Sequence, residues 1–429
     1  MKASISVNAE TNELTIKIQG ANLKALEHGN FYNREMVVRD LLNLVGGEWT
    51  ADLMRSQDVD VERLELDGKT YYRKEASVGH YQTLYGEQLV ERHLYQTSAG
   101  GETICPMEIN CQMIFGSATP LLAEVASFKL ASMTAGEAER DLAKGHGLKI
   151  SDSYLRDLAQ QVGQIAVEKR IEWQIPSPEV AAPVEIVATG ADGTTMPLVG
   201  EAYKEAMCGT IALYDEEGER LTTEYHGAMP QAGKTDFAKH FAARAAQVIA
   251  LFPNALHVCL GDGAKWNWEF FRKHFPMAIW ILDFFHATLH LHKAAELIFG
   301  AGKQAEAYYE EWRAKLLEEV DAASGLLRSL IRYRNEGGLT AAVRRKLNAE
   351  INYFRENLER MNYAEFRDAG LPIGSGVTEA ACKELIKARF CRSGMRWKRE
   401  SGAPILHLRA IKLSQQWDGF WANVMLQAT

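Results

Sequence analysis

The sequence predicts a mixed α/β protein: a central domain of order β-β-β-α-β-α-β, an all-helical stretch behind it and an α+β region in front. Three observations carry this. Short apolar runs recur at residues 184–188, 209–214, 221–225, 256–260 and 278–282, lengths that suit strands better than helices. Amphipathic helical periodicity fills 235–251 and 266–274 between them. From 287 to 369 the chain is rich in Ala, Leu, Glu, Lys and Arg and reads as helix alone. A three-strand meander followed by alternating helices and strands is the outline of a ribonuclease-H-like α/β core, although other mixed sheets share that order. The first part of this core is expected over 184–286, an all-α insertion over 287–370, and completion of the core over 371–429.

The elements ahead of the core follow from their own patterns. Residues 4–7 and 13–18 alternate polar and apolar around Asn-Ala-Glu-Thr-Asn, a hairpin signal. Helical periodicity runs from about residue 22 to residue 55, and strand-like pieces return between 70 and 115, with Gly86 as a turn inside 82–95. Residues 1–119 therefore form an α+β region. The stretch 120–175 is helical: Leu121, Leu122, Val125 and Phe128 give one apolar face, a second run over 134–144 stops at Gly145-His-Gly147, and a third starts at Ser151, a natural N-cap. Helix, glycine turn, helix is the helix-turn-helix outline, which also occurs in many proteins that never touch DNA. Residues 176–183, Pro-Ser-Pro-Glu-Val-Ala-Ala-Pro, continue neither helix nor central strand and mark a linker.

Composition narrows the function. With 47% apolar and 24% charged residues in 429, disordered and low-complexity classes are out. The net charge of −8, from 48 basic and 56 acidic residues, gives no general affinity for polyanions, so any nucleic-acid contact must rest on local charge. The most apolar run, 277–282, is far short of the ~20 residues that span a bilayer. The first residues carry no hydrophobic signal core, and the expectation is a cytoplasmic, nucleoid-associated protein without a membrane partner. Cys105, Cys111, Cys208, Cys259, Cys382 and Cys391 include no C-x-x-C pair and are read as reduced core thiols.

Three acids stand out. Asp192 in Gly190-Ala-Asp-Gly and Asp262 in Leu260-Gly-Asp-Gly each follow a β run, and Glu379 in Gly374-Ser-Gly-Val-Thr-Glu falls in the first turns of a helix. Ligands gather at strand ends of open α/β sheets. Oxygen donors from two strand ends and a helix suit Mg²⁺ or Mn²⁺, and two such ions can serve phosphodiester chemistry. Singly, each Asp-Gly is first a turn signal; the case rests on the three together. Asp283 and His286 follow the last strand, and His286 and His290 share a helix face at a spacing that also suits zinc. The segment 383–412 supplies positive charge: Lys383, Lys387, Arg389, Arg392, Arg396, Lys398, Arg399, Arg409 and Lys412 against Glu384 and Glu400 leave about +7, interleaved with Phe390 and Trp397. That mixture is the footprint of a surface for phosphates and bases, or else of a solvated helix face.

At these residues the chain resembles bacterial insertion-sequence transposases of the Kra type, within the DDE superfamily and related to the Mutator-like group. The resemblance rests on Ala191-Asp-Gly-Thr194, Gly261-Asp-Gly-Ala-Lys-Trp266, Leu282-Asp-Phe-Phe-His-Ala287, Gly374-Ser-Gly-Val-Thr-Glu379, Ser393-Gly-Met-Arg-Trp397 and residues 406–421, and it covers most of 81–421. It implies a ribonuclease-H-like core with a helical insertion, Asp192, Asp262 and Glu379 as the metal-binding catalytic triad, and Asp283 and His286 as supporting residues. Its implied partners are duplex DNA carrying terminal inverted repeats and target DNA, bound by a homo-oligomer. Lys265, Lys383, Lys387, Arg389, Arg392, Arg396, Trp397, Lys398 and Arg399 are the expected DNA contacts. Where relatives carry closely paired cysteines after the β element near Tyr95, this chain has only Cys105 and Cys111, which argues against an N-terminal zinc site. Two other functions remain open at this level: a domesticated DNA-binding regulator, and a nuclease of the same fold without strand transfer.

Overall fold

The computed structural model describes residues 2–8, 10–11, 13–20, 26, 30–170, 172–173, 176, 179–336 and 338–427. It is a mixed α/β fold in two compact units, one of residues 1–169 with 418–429 and one of residues 170–417. Regions 1–119 and 120–169 thus belong to one unit, and the end of the chain joins them rather than the core. No helix among the described residues is long and apolar enough to cross a membrane.

In the first unit, β1 (Lys2–Asn8) and β2 (Glu13–Gln19) form the expected antiparallel hairpin. Helix α1 (Phe31–Ser56) begins where Asn30 Oδ1 accepts the Asn33 amide at 2.9 Å; residues 22–25 and 27–29 of the expected helix lie outside the described residues. A four-stranded antiparallel sheet follows, of β3 (Arg63–Leu66), β4 (Lys69–Thr83), β5 (Gly86–Gln96) and β6 (Thr103–Ile104) in that order. After the short α2 (Pro106–Asn110) come α3 (Pro120–Leu130), α4 (Ala135–His146) and α5 (Asp152–Lys169). Their boundaries follow local chemistry. Thr134 and Glu137 close a capping box on α4, Gly147 ends it in the left-handed region at φ +73°, and Ser151 Oγ accepts the Tyr154 amide at 3.3 Å to start α5. Ala123, Ala126, Leu130, Leu142, Leu155 and Leu158 are buried among these helices.

The second unit holds a five-stranded sheet of order β11-β10-β7-β8-β9. Its strands are β7 (Ile186–Met196), β8 (Lys204–Tyr214), β9 (Arg220–Ala228), β10 (Leu256–Gly261) and β11 (Ile279–Leu282). The first three form an antiparallel meander, and β10 and β11 add parallel to the other side of β7. Strand β7 is longer than its apolar run suggests: it continues through Asp192 and Gly193, so that Asp-Gly pair is a strand interior and not a turn. The reason is tertiary, since β8 pairs with it over eleven residues, and a full ladder outweighs local turn propensity. The described part of 176–183 lies in no helix or strand, while Ser177 and Pro178 lie outside the described residues.

Helices cover both faces of this sheet. On one face α6 (Thr235–Leu251) and α7 (Lys265–His274) stack Phe237, Phe241, Phe270 and Trp266, and Gly209 leaves room for the Phe241 ring. On the other lie α13 (Gly376–Ala381), which runs on through a π-helical turn (Cys382–Lys387) to residues Ala388–Phe390, and α14 (Arg399–Leu413). There Gly227 leaves room for Leu385 and Leu406. Between the two sets come α8 (Phe284–Phe299), α9 (Lys303–Glu318), α10 (Ala322–Glu336), α11 (Ala341–Asn357) and α12 (Tyr363–Asp368), the helical stretch expected over 287–370. The last helix, α15 (Trp417–Gln427), closes the chain.

One buried ion pair ties α6 to the meander. Glu224 is 2% exposed, and Arg244 donates to it from Nε and Nη2, each at 2.8 Å. Burial works to raise the Glu224 pKa, but hydrogen bonding and charge from His226 and Arg244 outweigh it and bring the carboxyl down to about 2. A group whose folded pKa is depressed stabilises the fold above its unfolded value, near 4.5, and loses that contribution as pH falls toward 2. A depression of this size corresponds to about 3 kcal/mol. Arg244→Met is therefore expected to lower the unfolding free energy by about 3 kcal/mol at pH 7, with the deficit shrinking toward pH 2 as Glu224 protonates. Urea denaturation followed across that range checks this, and an unchanged midpoint at pH 7 contradicts it.

Candidate functional site

Sheet register brings the acids to one edge. Leu260 pairs with Gly190 and Gly261 with Leu282 in the parallel ladders. Asp192 and Asp262 each lie two residues beyond the paired Gly190 and Leu260, and Asp283 directly follows Leu282. Three carboxylates therefore stand at the carboxyl edge of three adjacent parallel strands, the usual ligand position of an open α/β sheet. Glu379 arrives from the opposite direction in the first turn of α13.

The approach of α13 depends on a missing side chain. A Cβ at Gly190 would overlap Thr378 Oγ1, which occupies that space and hydrogen-bonds Thr210 Oγ1 at 2.7 Å. Thr378 is buried, and the next residue is Glu379. A bare patch on β7, two residues before Asp192, thus lets the helix carrying Glu379 sit directly on the sheet.

Each group has a distinct environment. Asp192 is half-buried; its Oδ1 accepts the Gly193 amide at 2.6 Å and its Oδ2 accepts from Cys382 Sγ at 3.6 Å. Burial raises its pKa, the Gly193 amide opposes this, and the nearby charge of Asp262 raises it further. Asp262 Oδ1 accepts from the Ala264 amide at 2.9 Å and Asn267 Nδ2 at 3.0 Å. Asp283 is fully buried and caps α8: Oδ1 accepts the His286 amide at 2.6 Å and lies 3.2 Å from His286 Nδ1, while Oδ2 accepts the Ser375 amide. Burial alone raises the Asp283 pKa, yet its bonds to His286 and Ser375 prevail and hold it below the ordinary value. His286 is shifted the other way. Its bond to Asp283 raises its pKa against burial, and the charges of Asp283, Asp262 and Glu379 add to that. Its Nδ1 lies 3.5 Å from Glu379 Oε1.

The structure thus regroups the expected ligands. Among the described residues, the trio with ligand atoms all within 4.8 Å of one another is Asp283, His286 and Glu379, not Asp192, Asp262 and Glu379. Asp283 has donors on both oxygens and acts as an anchor, tying the start of α8 to the loop before α13. His286, its pKa raised chiefly by the bond to Asp283, lies among the acids with its Nδ1 beside Glu379. A cavity of about 580 Å³ opens over it, lined among others by Asp192, His286, Glu379, Cys382, Lys383 and Lys387. The acids at this edge offer oxygen ligands of the kind a hard dication takes, with Asp192 and Glu379 lining the cavity.

His290 does not join His286 in a zinc-like pair; its Nδ1 is 2.6 Å from Glu350 Oε2. The basic segment also divides. Lys265, Lys383, Lys387, Arg392, Arg396 and Lys398 are exposed. Arg389 is 4% exposed, with its guanidinium 5.1 Å over the Trp397 ring, and Trp397 packs 4.7 Å from buried Phe390 while its backbone pairs with the 197–199 segment. Arg389 is thus buried and Trp397 partly so. Arg399 is paired with Glu201 and bonds Pro230 O at 2.8 Å, and buried Arg409 donates to backbone carbonyls of Glu384 and Leu385. A count of charges along the sequence cannot separate the buried Arg389 and Arg409, or the paired Arg399, from the other basic residues. Of the six free cysteines, Cys111 and Cys391 are partly exposed rather than core.

No family model matches the chain, and no curated protein matches it either.

Gly190→Ala is expected to lower the unfolding free energy by about 1 to 3 kcal/mol through overpacking against Thr378. In the Gly190→Ala/Thr378→Ala double variant the cost should fall short of the sum of the single costs, because the second change removes the clashing atom. Denaturation of the four proteins in urea measures this coupling; strict additivity would show that the two positions do not compete for space.

Proposed function

We propose that the chain is a metal-dependent DNA phosphoryl transferase of the DDE transposase kind. The observation that carries this reading is that Asp192, His286 and Glu379 line one cavity, with Asp262 near enough for its charge to act on Asp192 and His286. The strand order supports it: numbered from β7, the sheet runs 5-4-1-2-3, the arrangement of a ribonuclease-H-like core, and five helices, α8 to α12, separate Asp283 from Glu379.

Asp192, Asp262 and Glu379 hold Mg²⁺ or Mn²⁺ in this reading. When bound, two such ions supply activation of an attacking oxygen and stabilisation of a leaving one. The chain's own groups do the rest. Lys383 and Lys387, exposed at the cavity, hold phosphate oxygens. His286, whose pKa the bond to Asp283 raises, adds positive charge beside them when protonated. Exposed Lys265, Arg392, Arg396 and Lys398 extend the contact along a DNA backbone. In hydrolysis a water oxygen forms the new bond to phosphorus, and the bond to the 3' oxygen breaks. In joining, a 3' hydroxyl attacks a target phosphodiester, and the target's own 3' oxygen leaves. Helices α3–α5 are assigned to recognition of terminal repeats, with two copies of the chain holding two element ends.

Asp192→Asn and Glu379→Gln are each expected to abolish strand breakage of a labelled duplex carrying the repeats that flank the coding sequence, in Mg²⁺ or Mn²⁺, while binding that duplex within about twofold of wild type. Denaturing gels and mobility shifts read the two effects. Cleavage by either variant at the wild-type rate sinks the assignment. Wild-type cleavage of repeat-bearing DNA without joining of pre-cut ends points instead to a nuclease of this fold.

A further inference from the structure

Tyr353 of the helical insertion contacts the Asp262 loop. Tyr353 lies on α11, and its hydroxyl donates to the backbone carbonyl of Asp262 at 3.1 Å. Its ring stacks on His290 of α8, with centroids 3.6 Å apart and planes 17° from parallel. His290 is itself fixed, because buried Glu350, one turn before Tyr353 on the same helix, takes its Nδ1 and is also paired with Lys293. Independently, Gly263 sits at φ +97°, and a Cβ there would come within 2.7 Å of the Tyr353 ring. The ring therefore fills the space beside the residue after Asp262 while the hydroxyl holds the carbonyl of Asp262 itself. With Oδ1 already bound by Ala264 and Asn267, the orientation of that carboxylate is set from both sides, and Oδ2 is left for a ligand.

We infer that Tyr353 is a positioning residue: the insertion braces the Asp262 loop through the Glu350–His290–Tyr353 stack and so presets the carboxylate for a divalent cation. This rests on the metal-site reading above. The stack couples a helix some ninety residues downstream in the chain to the second acid, which gives the insertion a role in the chemistry beyond covering the site.

The test is Mn²⁺ binding to the full chain, followed by electron paramagnetic resonance, in wild type, Asp262→Asn, Tyr353→Phe and Tyr308→Phe. Tyr308 is the control, since its buried hydroxyl bonds Ser329 Oγ at 3.0 Å inside the same insertion and faces no site acid. Tyr353→Phe keeps the ring stack and removes only the hydroxyl. The expected result is at least a tenfold loss of affinity in Asp262→Asn, a loss of about three- to tenfold in Tyr353→Phe, in line with one hydrogen bond, and no change in Tyr308→Phe. If Tyr353→Phe binds as wild type while Asp262→Asn fails, the brace is refuted and the metal site stands. Equal losses in both tyrosine variants mean general destabilisation and also refute it. Wild-type binding by Asp262→Asn removes the metal site and the brace together.

Discussion

The site depends on a helix lying directly on a sheet where the sheet has no side chain. Gly190 gives its place to Thr378, whose hydroxyl closes onto Thr210, and Glu379 follows in the next position. Without that contact the third acid would stand off from β7 by at least the thickness of a side chain. The same face repeats the device at Gly227, under Leu385 and Leu406, so the helix that carries Glu379, Lys383 and Lys387 is seated along its length. Close packing of this kind tolerates little adjustment, which makes the spacing between Glu379 and the strand-borne acids a property of the fold rather than of flexible side chains.

Electrostatics then acts on a fixed frame. Four carboxylates meet at one edge, and the protein balances them unequally. Asp283 is bonded by two backbone amides and His286, Asp262 by Ala264 and Asn267 on one oxygen, and Asp192 by the Gly193 amide and the Cys382 thiol, with burial and then the charge of Asp262 raising its pKa. His286 has its pKa raised by Asp283, and the charges of Asp262 and Glu379 add to that. Lys383 and Lys387, exposed on the turn that continues α13, line the same cavity as Asp192 and Glu379.

Much of this architecture is legible in the amino-acid sequence. The helix over 235–251, the order of strands and helices and the position of Glu379 in a first helical turn follow from periodicity and capping chemistry alone. The failures share a cause, which is that distant pairing decides what local pattern leaves open. The expectation that strand β7 stops near Ala188 fails because β8, aligned residue by residue, carries the ladder through Asp-Gly. Arg389 and Trp397 have the composition of a DNA surface, yet they pack against each other, and His290 has the spacing of a partner to His286 although its carboxylate lies sixty residues away at Glu350. Tyr353 carries no signal at all, since nothing in its own helix points to Asp262. Gly190 does carry one: a glycine two places before an acid on a strand shares its face.

The central claim is that these packed elements form a binding site for divalent metal. Crystals of the wild-type chain soaked in Mn²⁺ and measured for anomalous scattering test it most directly. Anomalous density is expected in the cavity lined by Asp192 and Glu379, with His286 displaced from Glu379. Strong Mn²⁺ peaks elsewhere on the protein with none in this cavity, or an unmoved His286–Glu379 contact at saturating metal, would contradict it.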